Sequence, residues 1–229
     1  MFRSRAARLT LIYGYDDRAI TDEYSYRADY LSLLDYEVDK DADVFHVGLS
    51  GNYYTPNHFL QYSLIYWNGD IKTDGGAYYD GTYHKVTAEL LKIFYDGNTN
   101  YRIHVRAQHA DRALDSSELF FLGGINGVRA YGNGDGYGDS GYIATAEIRR
   151  ALKFLPDLEV AIFADYGVAH NRVTDEYDHL AGVGAGLRYA KSNDWFAKLD
   201  VAHKIEGRDD RVEPGNNDLR IWLRLYKMF

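Results

Sequence analysis

Apolar and polar residues alternate with a period of two along most of the 229-residue chain, the spacing of strands whose two faces meet different surroundings. The clearest stretch is the last, where Leu219, Ile221, Leu223 and Leu225 fall on one face and Arg220, Trp222, Arg224 and Tyr226 on the other. The pattern recurs upstream, with Trp195, Ala197, Leu199 and Val201 opposed to Lys198, Asp200 and Lys204. It recurs again where Ile103, Val105 and Ala107 oppose Arg102, His104, Arg106 and Gln108. Read this way, the sequence predicts about eleven strands covering nearly the whole chain. An all-β fold follows. Two architectures share the pattern: a soluble sandwich with its polar faces outward, and a transmembrane barrel with its apolar face outward. Periodicity alone does not separate them.

The expected connections alternate in length, as they do in outer-membrane barrels with short turns on one side and long loops on the other. Glu206–Asn217, His170–Asp178, Asp111–Ser140 and Asn68–Gly81 read as long. Ala190–Asp194, Leu152–Asp157, Asp96–Asn100 and Thr55–His58 read as short. The alternation weakens towards the N-terminus, where Val38–Asp43 is brief and Asp16–Glu23 long for their expected sides. Aromatic residues also gather within or near strand ends: Tyr24, Tyr26, Tyr30, Tyr53, Tyr54, Tyr66, Trp67, Tyr83, Tyr95, Tyr101, Tyr142 and Trp195. Amphipathic rings favour a membrane interface, although tyrosine also simply favours strands.

Composition narrows the classes. The chain has no cysteine, which excludes disulfides and thiolate metal sites. Its net charge of -8 argues against a general nucleic-acid binder, which would carry a basic stripe. No run approaches the roughly 20 apolar residues of a membrane-spanning helix, while a mean hydropathy of -0.44 suits strands that are half lumen-facing. The opening Met-Phe-Arg-Ser-Arg-Ala-Ala-Arg has neither the apolar core nor the small-residue site of a signal peptide. An exported barrel read from this chain is therefore expected to be a portion of a longer protein.

One stretch departs from the strand pattern. Residues 120–149 read FFLGGINGVRAYGNGDGYGDSGYIATAEIR, and a connection this long between compact strands is usually functional. Gly123 and Gly124, then Gly127-Val128-Arg129-Ala130-Tyr131, then Gly138-Asp139-Ser140-Gly141 and Glu147-Ile148-Arg149 resemble the lid-loop signature of two-partner secretion transporters. These are the haemolysin and adhesin secretion/activation proteins of the outer membrane. They sit within a superfamily of outer-membrane assembly and translocation barrels, whose loop more often carries glycine where Ala130 stands. A second motif, Phe163-Ala164-Asp165-Tyr166-Gly167, resembles the family's Phe-x-Asp-x-Gly on a later strand. The likeness is good from residue 82 to 229 and rests on pattern alone before that.

The resemblance implies a sixteen-stranded antiparallel transmembrane barrel, with periplasmic POTRA domains and further N-terminal strands that residues 1–229 would lack. A lid loop at about 111–140 would fold into the lumen, pinned by Arg129 to Asp165. Five strands follow the lid as the family requires, and about six precede it; bacterial barrels have even counts, so the missing strands are expected on the N-terminal side. The implied activity is a protein-conducting pore that passes a large secreted exoprotein from periplasm to cell surface, with no enzymatic step, cofactor or metal. Implied partners are that exoprotein, outer-membrane lipid and the barrel-assembly machinery during insertion, but no nucleic acid. Competing readings are an assembly insertase of the same superfamily, a passive porin, and an enzyme built at the rim from His170, Asp175 and Asp178.

Elementary chemistry supports parts of this and leaves others open. Arg129 carries a planar fork that an inward carboxylate such as Asp165 would take in a bidentate pair; the blander alternative is a solvated loop cation. Gly182, Gly184 and Gly186 share one strand face and either clear room for the lid or mark a bulge. Arg102, Arg106, Lys198, Arg220 and Arg224, with Glu147, are expected on the wet face, where a basic lining would favour anions. Gly136–Gly141 matches G-x-G-x-x-G, but a strand pattern follows it, so a dinucleotide fold is not expected. Asp135 and Asp139 among glycines lack the spacing of a calcium loop. His104 and His109, at odd spacing on one strand, point to opposite faces and make a poor ligand pair.

Overall fold

The alternating segments fold into a single antiparallel sheet of ten strands. The computed structural model describes residues 6–26, 34–191, 194–207 and 218–227. Five strands lead up to the long connection: β1 (Ala6–Tyr26), β2 (Leu34–Thr55), β3 (His58–Thr73), β4 (Gly81–Asp96) and β5 (Thr99–Ala110). Within that connection lie a 3-10 turn at Ser116–Glu118 and two short strands, β6 (Phe120–Phe121) and β7 (Tyr137–Gly138), which pair with each other. Five more strands follow: β8 (Ser140–Leu152), β9 (Leu155–Asn171), β10 (Glu176–Ala190), β11 (Trp195–Gly207) and β12 (Leu219–Lys227). Spatial order in the sheet follows chain order, so each strand pairs with its chain neighbour and no crossover is needed. Among the described residues, β1 and β12 are the two edges.

Burial decides which face is which. Along β9 the residues Ala161, Phe163, Asp165, Gly167 and Ala169 are buried, whereas Ile162 and Tyr166 are exposed. Phe163 is 5% accessible and its neighbour Ile162 60%. On β12 the arginines at 220 and 224 are half-covered while Leu219, Ile221, Leu223 and Leu225 stand open. A soluble sandwich would do the reverse, hiding aliphatic side chains and exposing charge. Here the polar face is the covered one, because the connection between β5 and β8 folds back across it. Two apolar clusters mark where it lands: Leu122, Val128, Ala130 and Tyr131 against Ile143, Phe163 and Leu180, and Leu114 against Ala42, Val44, Ile71 and Tyr83.

The antiparallel all-β reading holds; against about eleven expected strands, ten form the main sheet among the described residues while β6 and β7 lie within the long connection. The expected loops Asp16–Glu23 and Val38–Asp43 are not loops. Both lie inside β1 and β2, paired without interruption from Ala6↔Tyr54 to Tyr26↔Leu34. Their aspartates read as turn formers, but in place they are satisfied across and along the ladder. Thr21 donates to Asp39 at 2.7 Å, Lys40 to Asp22, and Arg18 to Asp16 at 3.1 Å. At about 3.3 Å per residue such strands far exceed the 9–11 residues that cross a bilayer, so their charged ends extend beyond any apolar band. With this correction the connections alternate among the described residues. Those after β3, β5 and β9 share one end of the sheet. The tight turns after β2, β4 and β8 share the other.

The aromatic list also needs one correction. Tyr83 and Trp67 fall on the inner register and pack beneath Leu114 and Leu119 instead of ringing the outside. On the outer face, Tyr66, Tyr142 and Tyr166 mark the long-loop side and Phe94, Tyr101 and Trp195 the short-turn side. Tyr142 and Tyr101 sit on adjacent strands, six residues apart by the register Tyr101↔Ile148, or about 20 Å. Tyr30 and the terminal Phe229 lie outside the described residues.

The continuous β1–β2 ladder has a direct check in a chain free of cysteine. Asp17 and Asp43 are opposite partners, so cysteines at these two positions should form a disulfide under mild oxidation, since facing Cα atoms lie within about 4.5–5.5 Å. A pair of independent loops would leave both thiols free to react with maleimide.

Candidate functional site

The connection 111–139 is a strap held at its root, its tip and its exit. Its tip is a tightly wound glycine turn. Val128 donates its N–H to Leu122 O at 2.8 Å, Gly127 to Gly124 O at 3.0 Å, and Gly124 to Tyr131 O at 3.1 Å. Gly124 has φ +109°, a conformation open to glycine, and a Cβ on Gly127 would lie 2.0 Å from Leu122 O. This winding leaves Val128 and Ala130 fully covered and aims the Arg129 side chain at the sheet.

Arg129 meets three carboxylates carried by three different strands. Its Nε and Nη2 donate to the two oxygens of Asp165 at 2.8 and 2.9 Å, the bidentate geometry expected of that pair, and its backbone N–H adds a third bond at 3.1 Å. The remaining Nη1 reaches Glu147 on β8 at 2.9 Å and Asp200 on β11 at 3.4 Å. The guanidinium also lies 3.3 Å above the centre of the Phe163 ring, where the ring's electron-rich face favours a cation. Burial alone would lower the Arg129 pKa, but the bonds to Asp165 and the nearby carboxylates raise it above its ordinary value. The group is fixed as a cation.

The seat is balanced by cations from the wall itself. Arg188 on β10 pairs with Asp200 at 2.6 Å and with Glu147 at 3.3 Å, Lys198 pairs with Asp200 at 3.0 Å, and Arg149 pairs with Glu147. Thr145 donates to Asp165 at 2.9 Å. Buried charges of this kind persist when paired, and each carboxylate of the seat meets at least one cation. Room for them comes from the glycine face of β10. A Cβ at Gly182 would lie 2.6 Å from the Ala130 methyl, at Gly184 2.3 Å from the Phe163 ring, and at Gly186 2.3 Å from an Asp200 oxygen. Both sequence-based alternatives are therefore present, since the β10–β11 register also shifts between Ala181 and Gly182. Gly167 serves the same end, leaving space for Val128 and Leu122.

The other residues singled out from the sequence lie on the inner face and divide by role. Asp139 closes the base of the strap, accepting from Leu114 N at 2.6 Å and Arg172 N at 2.7 Å. Gly138 lets the chain run close beside His170, and Gly141 lets it pass Val168 and the Phe120 ring. Gly123 forms a bridge with Val128, and Tyr131 is buried with Lys204 above its ring. Arg106 donates to Asn126 O at 2.7 Å and Arg224 to Asn126 Oδ1 at 3.1 Å, so the tip joins β5 to β12 across the concave face. Arg220 sits beside Gly132, and Arg102 opens onto a cavity beneath the tip. Asp135 accepts the Gly132 N–H at 2.6 Å.

The proposed rim constellation does not assemble. Asp178 is buried and accepts from Tyr137 N at 3.1 Å, while His170 bonds the exposed Asp175 at 3.0 Å. His104 turns inward to Glu89 at 2.7 Å, and His109 lies on the outer face beside Tyr142.

A second anchor, not anticipated from the sequence, holds the root of the strap. Asp115 accepts Lys40 Nζ at 2.6 Å, and Glu118 takes Lys85 together with Arg18, the latter at 3.0 Å. Gln108 donates to Glu118 O at 2.9 Å and to Asp139 O at 3.1 Å, tying root to exit. Trp222, read only as a wet-face residue, donates its indole N–H to Arg129 O at 2.7 Å.

The family described as haemolysin secretion/activation protein ShlB/FhaC/HecB matches residues 34–189, a span that contains both the strap and its Asp165 seat. The chain belongs to that family. Over 139 aligned residues this haemolysin-secretion family member is 26% identical to the heme/hemopexin transporter protein HuxB of Haemophilus influenzae strain 86-028NP, covering 56% of this chain and 24% of HuxB. Its fold is similar to CdiB from Escherichia coli, with a TM-score of 0.75 and 17% identity over 96% of this chain and 41% of that one. CdiB from Acinetobacter baumannii gives a TM-score of 0.52 and 15% identity over 95% and 48%. The chain thus spans about a quarter of the length of its curated relative and less than half of each solved barrel.

Two outcomes follow for the strap in this family member. Gly182→Ala should drive its methyl into Ala130 and loosen the tip by about 1–3 kcal/mol, and adding Ala130→Gly should restore it; protease protection of residues near 126 reads both. For the root, burial would raise the Asp115 carboxyl, but the bonds from Lys40 and Ser117 hold it below its ordinary value. A depressed carboxylate stabilises fully above its unfolded pKa of about 3.9 and loses that contribution as pH falls further. Cleavage near the root should therefore rise on acidification below that value, and Asp115→Asn should remove the pH dependence.

Proposed function

We propose that this region forms the wall and lid of an outer-membrane pore that passes an unfolded secreted partner protein from the periplasm to the cell surface. The observation that carries the reading is the inverted burial of the sheet. Aliphatic and aromatic side chains face out, as lipid requires, while the charged inner face is covered by a strap seated on buried ion pairs and hydrogen bonds beside two apolar clusters. Such a strap is a releasable stopper. An open polar lumen without one would be a passive diffusion pore, and a permanently filled one would conduct nothing.

The proposed activity makes and breaks no covalent bond and draws on no nucleotide or cofactor; translocation would follow from binding and diffusion along a hydrated wall. Membership of the family and the CdiB-like fold support a transport role. On this reading the barrel is inserted by the outer-membrane assembly machinery, and its outer band contacts lipid.

An export assay in cells tests the proposal. Arg129→Ala and Asp165→Asn each leave buried charge unmatched, at a cost of about 3–5 kcal/mol, so both should lower export of the partner to a similar degree while membrane insertion persists. His170→Ala and Asp175→Ala should export normally. Unchanged export in both lid variants, or loss in the rim variants alone, would move the function away from a lid-gated pore.

A further inference from the structure

Beneath the tip of the strap lies a cavity of about 410 Å³ on the short-turn side of the Arg129 seat. Its roof is Ile125–Gly127 and its wall holds Arg102, Arg106, Arg149, Lys198, Glu89 and Glu147. The cations outnumber the anions, and the anions are already engaged. Glu89 bonds His104 at 2.7 Å, and Glu147 serves Arg129, Arg149 and Arg188. Lys198 is held by Asp200 at 3.0 Å. Among the described residues Arg102 has no hydrogen-bond or ion-pair partner, and Arg106 donates only to a neutral carbonyl, Asn126 O. Guanidinium donors left facing a half-enclosed cavity in this way are a receptor for an oxyanion.

We propose that this cavity is a docking site for carboxylate side chains of an extended polypeptide, the acidic segments of the chain in transit. The proposal rests on the pore reading above. Its geometry favours a peptide over a small free anion. Arg102 and Arg106 lie four residues apart on one face of β5, or about 13 Å along the strand, so a chain running beside β5 offers each fork its own carboxylate. An extended chain presents its own same-face residues at the same repeat, so two acidic side chains four residues apart would meet both forks. A carboxylate at Arg106 would also compete with Asn126 O, a contact that, with Arg224, supports the tip of the strap beside its Arg129 anchor. Docking of an acidic segment and release of the tip are thereby coupled.

The test uses the full chain in detergent and fluorescence anisotropy with a labelled decapeptide alternating glutamate and serine, beside counterparts carrying glutamine or lysine. The glutamate peptide should bind about tenfold or more tightly than the glutamine one, weaken at high salt, and increase protease cleavage at the tip. Arg102→Gln with Arg106→Gln should abolish that preference, while Arg150→Gln, exposed on the opposite face, should preserve it. Equal binding of the three peptides by the unaltered chain would overturn the proposal without depending on any variant's folding. Inorganic phosphate that binds as tightly as the glutamate peptide and displaces it would overturn the assignment to a polypeptide. A chain that exports its partner yet shows no charge preference loses this site and keeps the pore. One that binds the acidic peptide through these arginines but exports nothing keeps the site and loses the pore.

Discussion

The structure turns on one buried cation. Glu147, Asp165 and Asp200 are carried into a water-poor seat by β8, β9 and β11, and three carboxylates so placed require matching positive charge. Arg188, Arg149 and Lys198 pair with Glu147 and Asp200 from the wall; among the described residues Asp165 takes its cation, Arg129, from a connection that would otherwise be solvated. The strap therefore folds inward because the wall is charged, and the wall tolerates its charge because the strap is there. The glycine face of β10, the small Ala130 and the flat Phe163 ring are the steric conditions for that exchange. The methyl of Ala130 is accommodated by the missing side chain at Gly182.

Root and tip anchors give the strap a particular mechanics. The root is held by Lys40, Lys85 and Arg18 near the long-loop end and the tip by Arg129 in mid-sheet, with Asp139 locking entry to exit. Ionic and hydrogen-bonded contacts accompany an apolar cluster at both anchors. Such contacts exchange for water or for a competing ligand more readily than packed aliphatic surface does. A strap tethered at the root could release its tip without leaving the lumen.

How much of this was legible in the chain depends on the range of the interaction. Strand faces were legible because alternation is local, and Leu223 and Ile221 expose the sides their spacing demands. The Arg129–Asp165 contact was legible only because two motifs resemble a known family; nothing in residues 129 and 165 alone separates a pinned fork from a solvated one. The root anchor was not legible, since Lys40 and Asp115 lie 75 residues apart and Arg18 and Glu118 lie 100 apart. Asp39 and Asp43 misled because their turn propensity is local while their satisfaction comes from a neighbouring strand. Tyr83 and Trp67 misled for the opposite reason. Their residue type suits a girdle, but their register places them under the root of the strap.

The most direct test is a double-mutant cycle between Arg129 and Asp165, read as protease protection of the tip in detergent. If the guanidinium sits on Asp165 as described, Arg129→Ala and Asp165→Asn should each expose the tip. The double variant should then be no worse than the worse single one, a coupling about as large as the smaller of the two single effects. Strictly additive effects, or a tip that is cleaved equally in the unaltered chain, would contradict the account.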